Sequence, residues 1–488
     1  MTFLRRMGLA AIPAVLCACA STPRTDTAPP INWANASWQS TAPAISAADA
    51  SSWHPARPGD HLPKERWWDI YQDSVLSQLE DEALRANASV QMAAARVQQA
   101  RATAGIASAS TAPRIDAGLR NTRTQTSANR PANTAQASAS ASLQNDTILN
   151  GTVSYELDLF GRLRLAEQAA AQQAEQAAAE LINVQLLLST DLASLYFQIR
   201  SIESEQLVLA RSLAAQQRAA ELLQARHDGG LTAGLDVAQQ QALIDTTQTQ
   251  ITLLNKQSTQ LRHALATLVG RPANQFTLPT ASAPAVPPSI PVALPSEVLQ
   301  RRPDIAAAAR SVAAANLQLG VAERAWFPSL TLSGSAGWES KHLSSLLDAP
   351  SLIWALGASV TQAVVDGGRI QAGRDQARAT RDLAAASYRA TVLRAIQEVE
   401  DGLSNLNELE IARRQAQAAI RSAQRVLNIA EARYEGGLVT YLDIVTAQQN
   451  VLNSQRLLAQ LDGQHRQAST YLVKAIGGGW SPDTVAAY

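Results

Sequence analysis

One block of this sequence occurs twice, which restricts the chain to folds in which two like units are built side by side. Arg226-His-Asp-Gly-Gly-Leu231, followed by Asp236-Val237, returns 207 residues later as Arg433-Tyr-Glu-Gly-Gly-Leu438, followed by Asp443-Ile444. The same offset relates Gly161-Arg162 to Gly368-Arg369, and Leu268-Val-Gly270 to Ala475-Ile-Gly477. Pro113 and Pro328 are instead 215 apart, so the length difference falls in one connection of the first copy, between Pro113 and Arg162. The copies are assigned to residues 62–271 and 296–477, leaving a tail at 478–488. Between the copies, residues 272–295 carry Pro272, Pro279, Pro284, Pro287, Pro288, Pro291 and Pro295, which stop both helix continuation and ladder pairing, so this stretch is a linker.

Each copy has the same internal order. A moderate helix leads to a proline, two strand-like runs follow, and two long helices come last, separated by the Gly-Gly-Leu turn. In the first copy Val153, Tyr155, Leu157 and Leu159 alternate with Thr152, Ser154, Glu156 and Asp158, the period of a strand with one apolar face. Ile115, Ala117 and Leu119 alternate in the same way with Arg114, Asp116 and Arg120. In the second copy Leu330, Leu332 and Trp338 share one parity, as do Leu352, Trp354, Leu356 and Val360. These runs predict four strands of about ten residues. From Gly161 to Asp228 there is no proline, and Ala, Gln, Glu, Leu and Arg dominate, so one helix is expected there, about 100 Å long. Within its second-copy counterpart Val392, Ile396, Val399, Leu403 and Leu406 recur at the spacing of a coiled-coil seam.

Charge and motifs exclude several classes of function. With 41 basic and 41 acidic residues the net charge is zero, unlike the basic footprint of a nucleic-acid binder. The six histidines, at 54, 61, 227, 263, 342 and 465, lack metal-ligand spacing, and no Walker, His-Glu-x-x-His or nucleophile-elbow pattern occurs. An enzyme is not expected, and neither is a cofactor. After the leader, no segment reads as apolar enough for a transmembrane helix.

The chain begins with Arg5-Arg6, an apolar stretch from Met7 to Leu16 and then small residues, the layout of a secretory signal peptide over residues 1–18. About ten apolar residues are too few to span a bilayer, which takes about twenty. Leu16-Cys17-Ala18-Cys19 resembles the lipobox of bacterial lipoproteins, in which Cys19, preceded by a small residue, would be the acylated cysteine; an ordinary leader with incidental cysteines is the alternative. Two or more acyl chains there would anchor the N-terminus stably. Ala20 rather than Asp follows, which in that group implies the outer membrane. The tail 19–61, rich in Ala, Ser, Pro and Thr, is expected to be extended and poorly ordered, while Trp33, Trp38 and Trp53 suggest that it still packs somewhere.

Strands of about ten residues with one apolar face suit an outer-membrane barrel. Four are too few to close one, and an open edge in lipid leaves backbone groups unpaired, so other copies of the chain must supply the remainder. The polar parity would then line the lumen, with Trp338 and Trp354 at lipid interfaces.

Several stretches are similar to the TolC-like outer-membrane efflux factors, in particular their lipoprotein, NodT-type branch. They are Arg66-Trp-Trp-Asp-Ile-Tyr71 with Leu76, Leu79, Ala83 and Leu84, which resembles an opening helix, and Arg302-Pro-Asp-Ile305 with Gly320 and Phe327-Pro328. Pro303 suits a first helical turn. Ala309 departs from the family, which usually has Glu there. The resemblance implies a membrane α+β fold: a homotrimer whose four strands per protomer make a twelve-stranded barrel, continued by a periplasmic barrel of long helices. It implies partners as well, namely a periplasmic adaptor protein and an inner-membrane pump of the resistance-nodulation-division type. Gly229, Gly230 and Leu231, with Gly436, Gly437 and Leu438, would be the tips that meet the adaptor, and glycine at these turns can take positive φ. A purely structural reading, a tight turn between two helices, fits the same residues. Leu442 and Asp443 match positions that narrow the tunnel mouth in relatives, and three converging Asp443 carboxylates would repel one another and attract cations. An ordinary solvated Asp after a turn is the alternative. The family's namesake ties its closed mouth by an Arg to the position of Asp236, but Val439 stands where that Arg would be, leaving Arg226 and Arg433 as candidate partners. Two other readings stay open: an exit tunnel for protein secretion, and a periplasmic coiled-coil scaffold without a pore.

Overall fold

The computed structural model describes residues 66–125, 127, 143–279 and 301–478. The leader, Cys19 and its tail, most of the proline-rich linker and residues 479–488 lie outside the described residues. In chain order the elements are α1 (Ser74–Ala86), α2 (Ala88–Ala109), β1 (Arg114–Gln125), β2 (Leu143–Leu157), α3 (Arg162–Asp228) and α4 (Gly234–Val269). Then come α5 (Pro303–Arg324), β3 (Ser329–Ser340), β4 (Leu352–Thr361), α6 (Arg369–Glu435) and α7 (Tyr441–Ala475). Two strands followed by two long helices thus occur twice. The helices α3 and α6 both have 67 residues, and their first and last residues are 207 apart.

The chain folds as two units. One holds Gln98–Gln176 and Ala309–Ala386, and with them all four strands. These form one antiparallel sheet in the order β1-β2-β3-β4, so the two copies meet at the β2–β3 ladder. Three of the strands are longer than the alternation alone suggested, β4 keeping ten residues; β2 reaches 15 because Gln144, Asn145 and Asp146 extend its ladder with β1 beyond the apolar run. Leu165 and Ala169 of α3 pack with Leu317 of α5, and the Phe160 and Phe327 rings stack at 4.7 Å.

The other unit comprises the described residues of Pro30–Val97, Ala177–Ala308 and Ser387–Tyr488 and is helical. Its main core gathers Trp67, Trp68, Tyr71, Leu76 and Leu79 around Leu192, Tyr196 and Phe197 of α3, Leu265 and Val269 of α4 and Val473 of α7. Each such side chain, fully buried, contributes about 1.5–3 kcal/mol through removal of apolar surface from water. The Trp-Trp stretch, expected to open a helix, is a single 3-10 turn, Trp67–Tyr71, that ends where Gln72 adopts a left-handed conformation. The α-helix starts after it because Asp73 caps α1, its carboxylate accepting from the Val75 and Leu76 amides. Asn87 splits the first copy's opening helix: its amide donates to the Leu268 carbonyl, and its side-chain oxygen takes the Ser89 amide. On α6, Val392, Val399 and Leu403 of the expected seam are buried, and Ile396 and Leu406 pack beside them.

One expectation is overturned. The helix Pro303–Arg324 is long and apolar enough, by length and composition, to cross a membrane. Alanine supplies that apolarity, and the helix spends it on protein contacts, with Ala306 and Ala307 against Ala179 and Leu317 against Leu165.

Candidate functional site

The four-stranded sheet has two chemically different faces. Partners across an antiparallel ladder project to the same side. The register therefore makes rows: Ile115, Val153, Gly334 and Leu356 in one, and Leu119, Leu149, Trp338 and Leu352 in another. Both rows belong to the same face, which also carries Ala117, Gly151, Ala336 and Trp354. Much of it is bare among the described residues, for Ile115, Trp354 and Leu356 are 78, 71 and 80 % exposed, whereas Leu149 and Trp338 are half-buried and Thr147, beside them on β2, is buried. Contiguous bare apolar surface of this kind marks contact with lipid or another apolar surface. The opposite face carries Arg114, Asp116, Arg120, Asp146, Glu156 and Glu339 among Ser and Thr. Its charges pair locally, Arg114 with Asp116 at 2.9 Å and Glu156 with Arg162 at 2.7 Å. At the two edges, β1 and β4 each have a strand neighbour on one side only among the described residues.

In the helical unit the two Gly-Gly-Leu turns are built alike. After α3, the Leu231 amide donates to the Arg226 carbonyl and the Gly230 amide to that of His227, both at 2.8 Å. After α6, Leu438 and Gly437 donate to Arg433 and Tyr434, both at 2.9 Å. This paired closure needs a left-handed residue, and only the second glycine of each turn provides it, Gly230 at φ 74° and Gly437 at φ 71°. Gly229 and Gly436, expected to share that conformation, instead continue the helix, their amides donating to Ala225 and Ala432. Leu231 and Leu438 project from the turns, 82 and 70 % exposed. Leu442 is exposed too, and so is Leu235, which stands 207 residues before it.

Asp443 and Asp236 lie in the first turns of α7 and α4, and their carboxylates are engaged within the chain. Asp443 completes a capping box, accepting from the Thr440 amide at 3.0 Å and the Thr440 hydroxyl at 2.8 Å. The matching N-cap of α4 is Ala233, which has no side chain to cap with, and Asp236 accepts from the Thr232 hydroxyl at 2.9 Å instead. Neither Arg226 nor Arg433 forms an ion pair with Asp236 among the described residues.

Behind these turns lies a buried link between the copies that pattern reading did not anticipate. The Tyr441 hydroxyl donates to Gln240 Oε1 at 3.0 Å, and Gln240 Nε2 donates to the Gln216 carbonyl at 2.7 Å. Gln240 is wholly buried, and Tyr441 packs edge-on against Tyr434 among Leu223, Leu427, Ile444 and Val451. Burial first, and then the neighbouring Tyr434, Asp236 and Glu431, push the Tyr441 hydroxyl up to about 12, so it remains a donor. The only advance signal was the repeat itself, since Leu235 and Tyr434 could have been found by comparing the copies around their turns.

Arg302, from the Arg-Pro-Asp stretch, is also buried. It donates to Asp304, to Glu398 at 2.7 Å and to the Ala475 carbonyl at 2.8 Å. Burial would lower its pKa, but Asp304 and Glu398 outweigh that and hold the guanidinium charged.

Comparison with known proteins bears on the chain as a whole. The model of the outer membrane efflux protein family matches residues 79–271 and 294–478. The pyoverdine export outer membrane protein OpmQ of Pseudomonas putida is 32 % identical over 490 residues, covering 99 % of either chain. The toluene efflux pump outer membrane protein TtgF of Pseudomonas putida is 31 % identical over 431 residues, 86 % of this chain and 88 % of that one. Among solved structures, the outer membrane protein VceC of Vibrio cholerae superposes with a TM-score of 0.78 at 28 % identity, over 86 % of this chain and all of that one. The match takes in both copies of the repeated block and, in OpmQ, nearly the whole length, and the chain belongs to the outer membrane efflux protein family.

Proposed function

We propose that this chain is the outer-membrane exit duct of a tripartite efflux pump, a passive conduit for small molecules with no chemistry of its own. The two-faced sheet carries the reading. Its bare apolar face suits lipid, its polar face suits a water-filled lumen, and its two open edges call for further copies of the chain. Three copies would give twelve strands and a closed barrel, which the long helices would continue as a periplasmic tunnel. Acyl chains on Cys19 would add a tether to the membrane.

The tips at Gly229–Leu231 and Gly436–Leu438 would dock on the periplasmic adaptor, through which an inner-membrane pump of the resistance-nodulation-division type delivers cargo and energy. Leu231 and Leu438 are suited to this, being large, apolar and exposed. Leu442, Asp443 and Asp236 would form the periplasmic constriction, narrowed by leucine and made attractive to cations by the acids. With Val439 in the second turn, the closed mouth would be held by packing more than by an arginine tie. The relatives named for pyoverdine and toluene point to small organic molecules as cargo, with drugs and metal ions also compatible with a permissive duct.

Purified protein in planar bilayers should conduct ions and migrate on denaturing gels as a heat-sensitive oligomer. Absence of conductance would favour a scaffold without a pore and refute the duct. In the same bilayers Asp443→Ala should reduce block by divalent cations, and an unchanged block would remove the acid from the constriction. Cys19→Ala should abolish palmitate labelling in cells, and continued labelling would overturn the anchor.

A further inference from the structure

The two copies share contacts as well as backbone course. Gln206 of α3 donates to Asn255 of α4 at 2.8 Å, and 207 residues later Arg413 of α6 donates to Asp462 of α7 at 2.6 Å. Each helical hairpin is therefore zipped at the same level, by a neutral pair in the first copy and by an ion pair in the second.

The contact between copies at this level joins α7 chiefly to α3, and Arg456 of α7 also reaches Gln250 of α4 at 3.1 Å. Ser201 Oγ donates to the Ala459 carbonyl at 3.2 Å and lies so close to Gly463 that a Cβ there would overlap it. Beside it, Arg456 at 2.7 Å and Gln460 at 3.2 Å hold the buried Glu205 carboxylate. So α3 has a helical neighbour on each side, α4 and α7. The outer sides of α4 and α6 are open: Leu253 is 60 % and Ile411 41 % exposed, and Lys256 and Glu408 are exposed without a partner among the described residues.

In a closed ring of like copies, a contact that joins the first copy of the block to the second inside a chain must recur, in altered form, from the second copy to the first of the next chain. Moving both sides of the α3–α7 contact by 207 residues turns Ser201 into Glu408, Gly463 into Lys256, Glu205 into Ala412 and Gln460 into Leu253. We infer that α6 of one chain packs on α4 of the next, with Glu408 paired to Lys256 and Leu253 covered by Ala412 and Ile411. The occupant of this face is a second copy of this chain. The exchange is complementary in size and charge. Inside the chain a close Ser-Gly contact flanks an ion pair; between chains an ion pair with long side chains flanks small and apolar residues. The longer pair sets a wider helix separation, and the leucine fills it.

The inference rests on the closed-ring reading, and its test separates the two. Cysteines are introduced at both positions as Lys256→Cys with Glu408→Cys in the full chain, with each single variant as control, and treated with a short bifunctional thiol reagent in native membranes. The double variant should give a denaturation-resistant ladder ending at three linked chains, and neither single variant should. A native trimer that yields no ladder overturns the pairing and leaves the ring standing; a monomer overturns the ring and the pairing with it. Independently, Lys256→Glu and Glu408→Lys should each lower the temperature at which the trimer dissociates, and the combined exchange should recover it. Failure of the combined exchange to recover would also refute the pair.

Discussion

Replacing Tyr441 by Phe isolates the buried link behind the helical turns, because it keeps the ring and deletes one hydroxyl. The ring contacts with Tyr434, Leu223 and Ile444 persist, so no cavity opens. What changes is Gln240 Oε1, which loses its donor at 3.0 Å in a residue with no exposure to water. Orphaning a buried neutral acceptor costs about 1–3 kcal/mol, far more than an exposed hydrogen bond would. One or two kcal/mol corresponds to roughly a 5–30-fold rise in the population that opens locally. Trypsin reports that opening, since Arg226 and Arg433 lie in the last turns of α3 and α6, just before the Gly-Gly-Leu turns. In the regime where reclosing outpaces cleavage, the initial rate follows the open population. Tyr441→Phe should therefore be cut roughly 5–30-fold faster at these arginines than the parent. Adding Gln240→Leu removes the orphaned acceptor and should recover part of the loss, since apolar replacement of both partners is close to neutral. A Tyr441→Phe rate within twofold of the parent, or a double variant as weak as the sum of the singles, would refute the reasoning.

The same link gives a pH dependence. Tyr441 has its folded pKa raised to about 12 from an unfolded value of 10.0, so its contribution is fully present below pH 10 and is lost as pH rises towards 12. Amide exchange over residues 434–447, corrected for its intrinsic pH dependence, should show that loss, and Tyr441→Phe should remove Tyr441's share of it. At the turns, Gly230→Ala and Gly437→Ala should each cost about 1–2 kcal/mol through left-handed backbone strain alone, because no atom lies within 4 Å of the added Cβ. Gly229→Ala and Gly436→Ala, in helical continuation, should be neutral or stabilising, and trypsin rates at the turns distinguish the pairs. Arg456→Ala strips Glu205, whose side chain is 5 % exposed, of its cation and should cost about 3–5 kcal/mol in thermal unfolding followed by circular dichroism. Arg456→Leu with Glu205→Leu should recover most of that; an equally unstable double variant would show that packing, not charge, sets the loss.

How much of this was legible in the sequence depended on whether a residue's neighbours are local. The ends of α3 and α6 were readable because a glycine pair stops each helix and no proline interrupts it. The apolar sheet face was readable because alternation is a local property. Strand length was not: Gln144 to Asp146 look like a loop and become ladder only because β1 lies alongside. The Trp67–Tyr71 stretch looked helical from its apolar side chains, but the left-handed Gln72 ends it after one turn. Gln240, Glu205 and Arg302 were the hardest to foresee. Polar residues on long helices, such as Gln240 and Glu205, read as solvent-facing, as does an arginine just before a helix like Arg302, and each of these is buried against a partner distant in the sequence, with Tyr441 at 201, Arg456 at 251 and Glu398 at 96 residues' separation.

The differences between the copies carry information that their likeness cannot. Identical copies arranged in a ring would have one kind of interface, repeated at every step, and no way to treat the chain boundary differently from the junction inside the chain. Here several matched positions near the turns differ in chemistry while the backbone agrees. Tyr441 stands where the first copy has Gly234, Tyr434 where it has His227, and Thr440 where it has Ala233. As a result the second turn is capped by its own Asp443 and anchored through Tyr441 into the first copy, whereas in the first turn Asp236 is held by the Thr232 hydroxyl. The buried anchor runs from the second copy's turn into the first copy's helices, whereas the first turn meets the second copy through a longer, part-buried contact, Thr232 Oγ1 to the Tyr434 hydroxyl at 3.5 Å. Transplanting Tyr441 to position 234 as Gly234→Tyr would not reproduce it, because the residue matching Gln240 in the second copy is Ala447, which has no side-chain acceptor. Movement at the turns should therefore begin at the first copy, whose cap is weaker, and reach the second only after the Tyr441 to Gln240 bond has broken. Amide exchange would show it as earlier loss of protection at 230–236 than at 437–443.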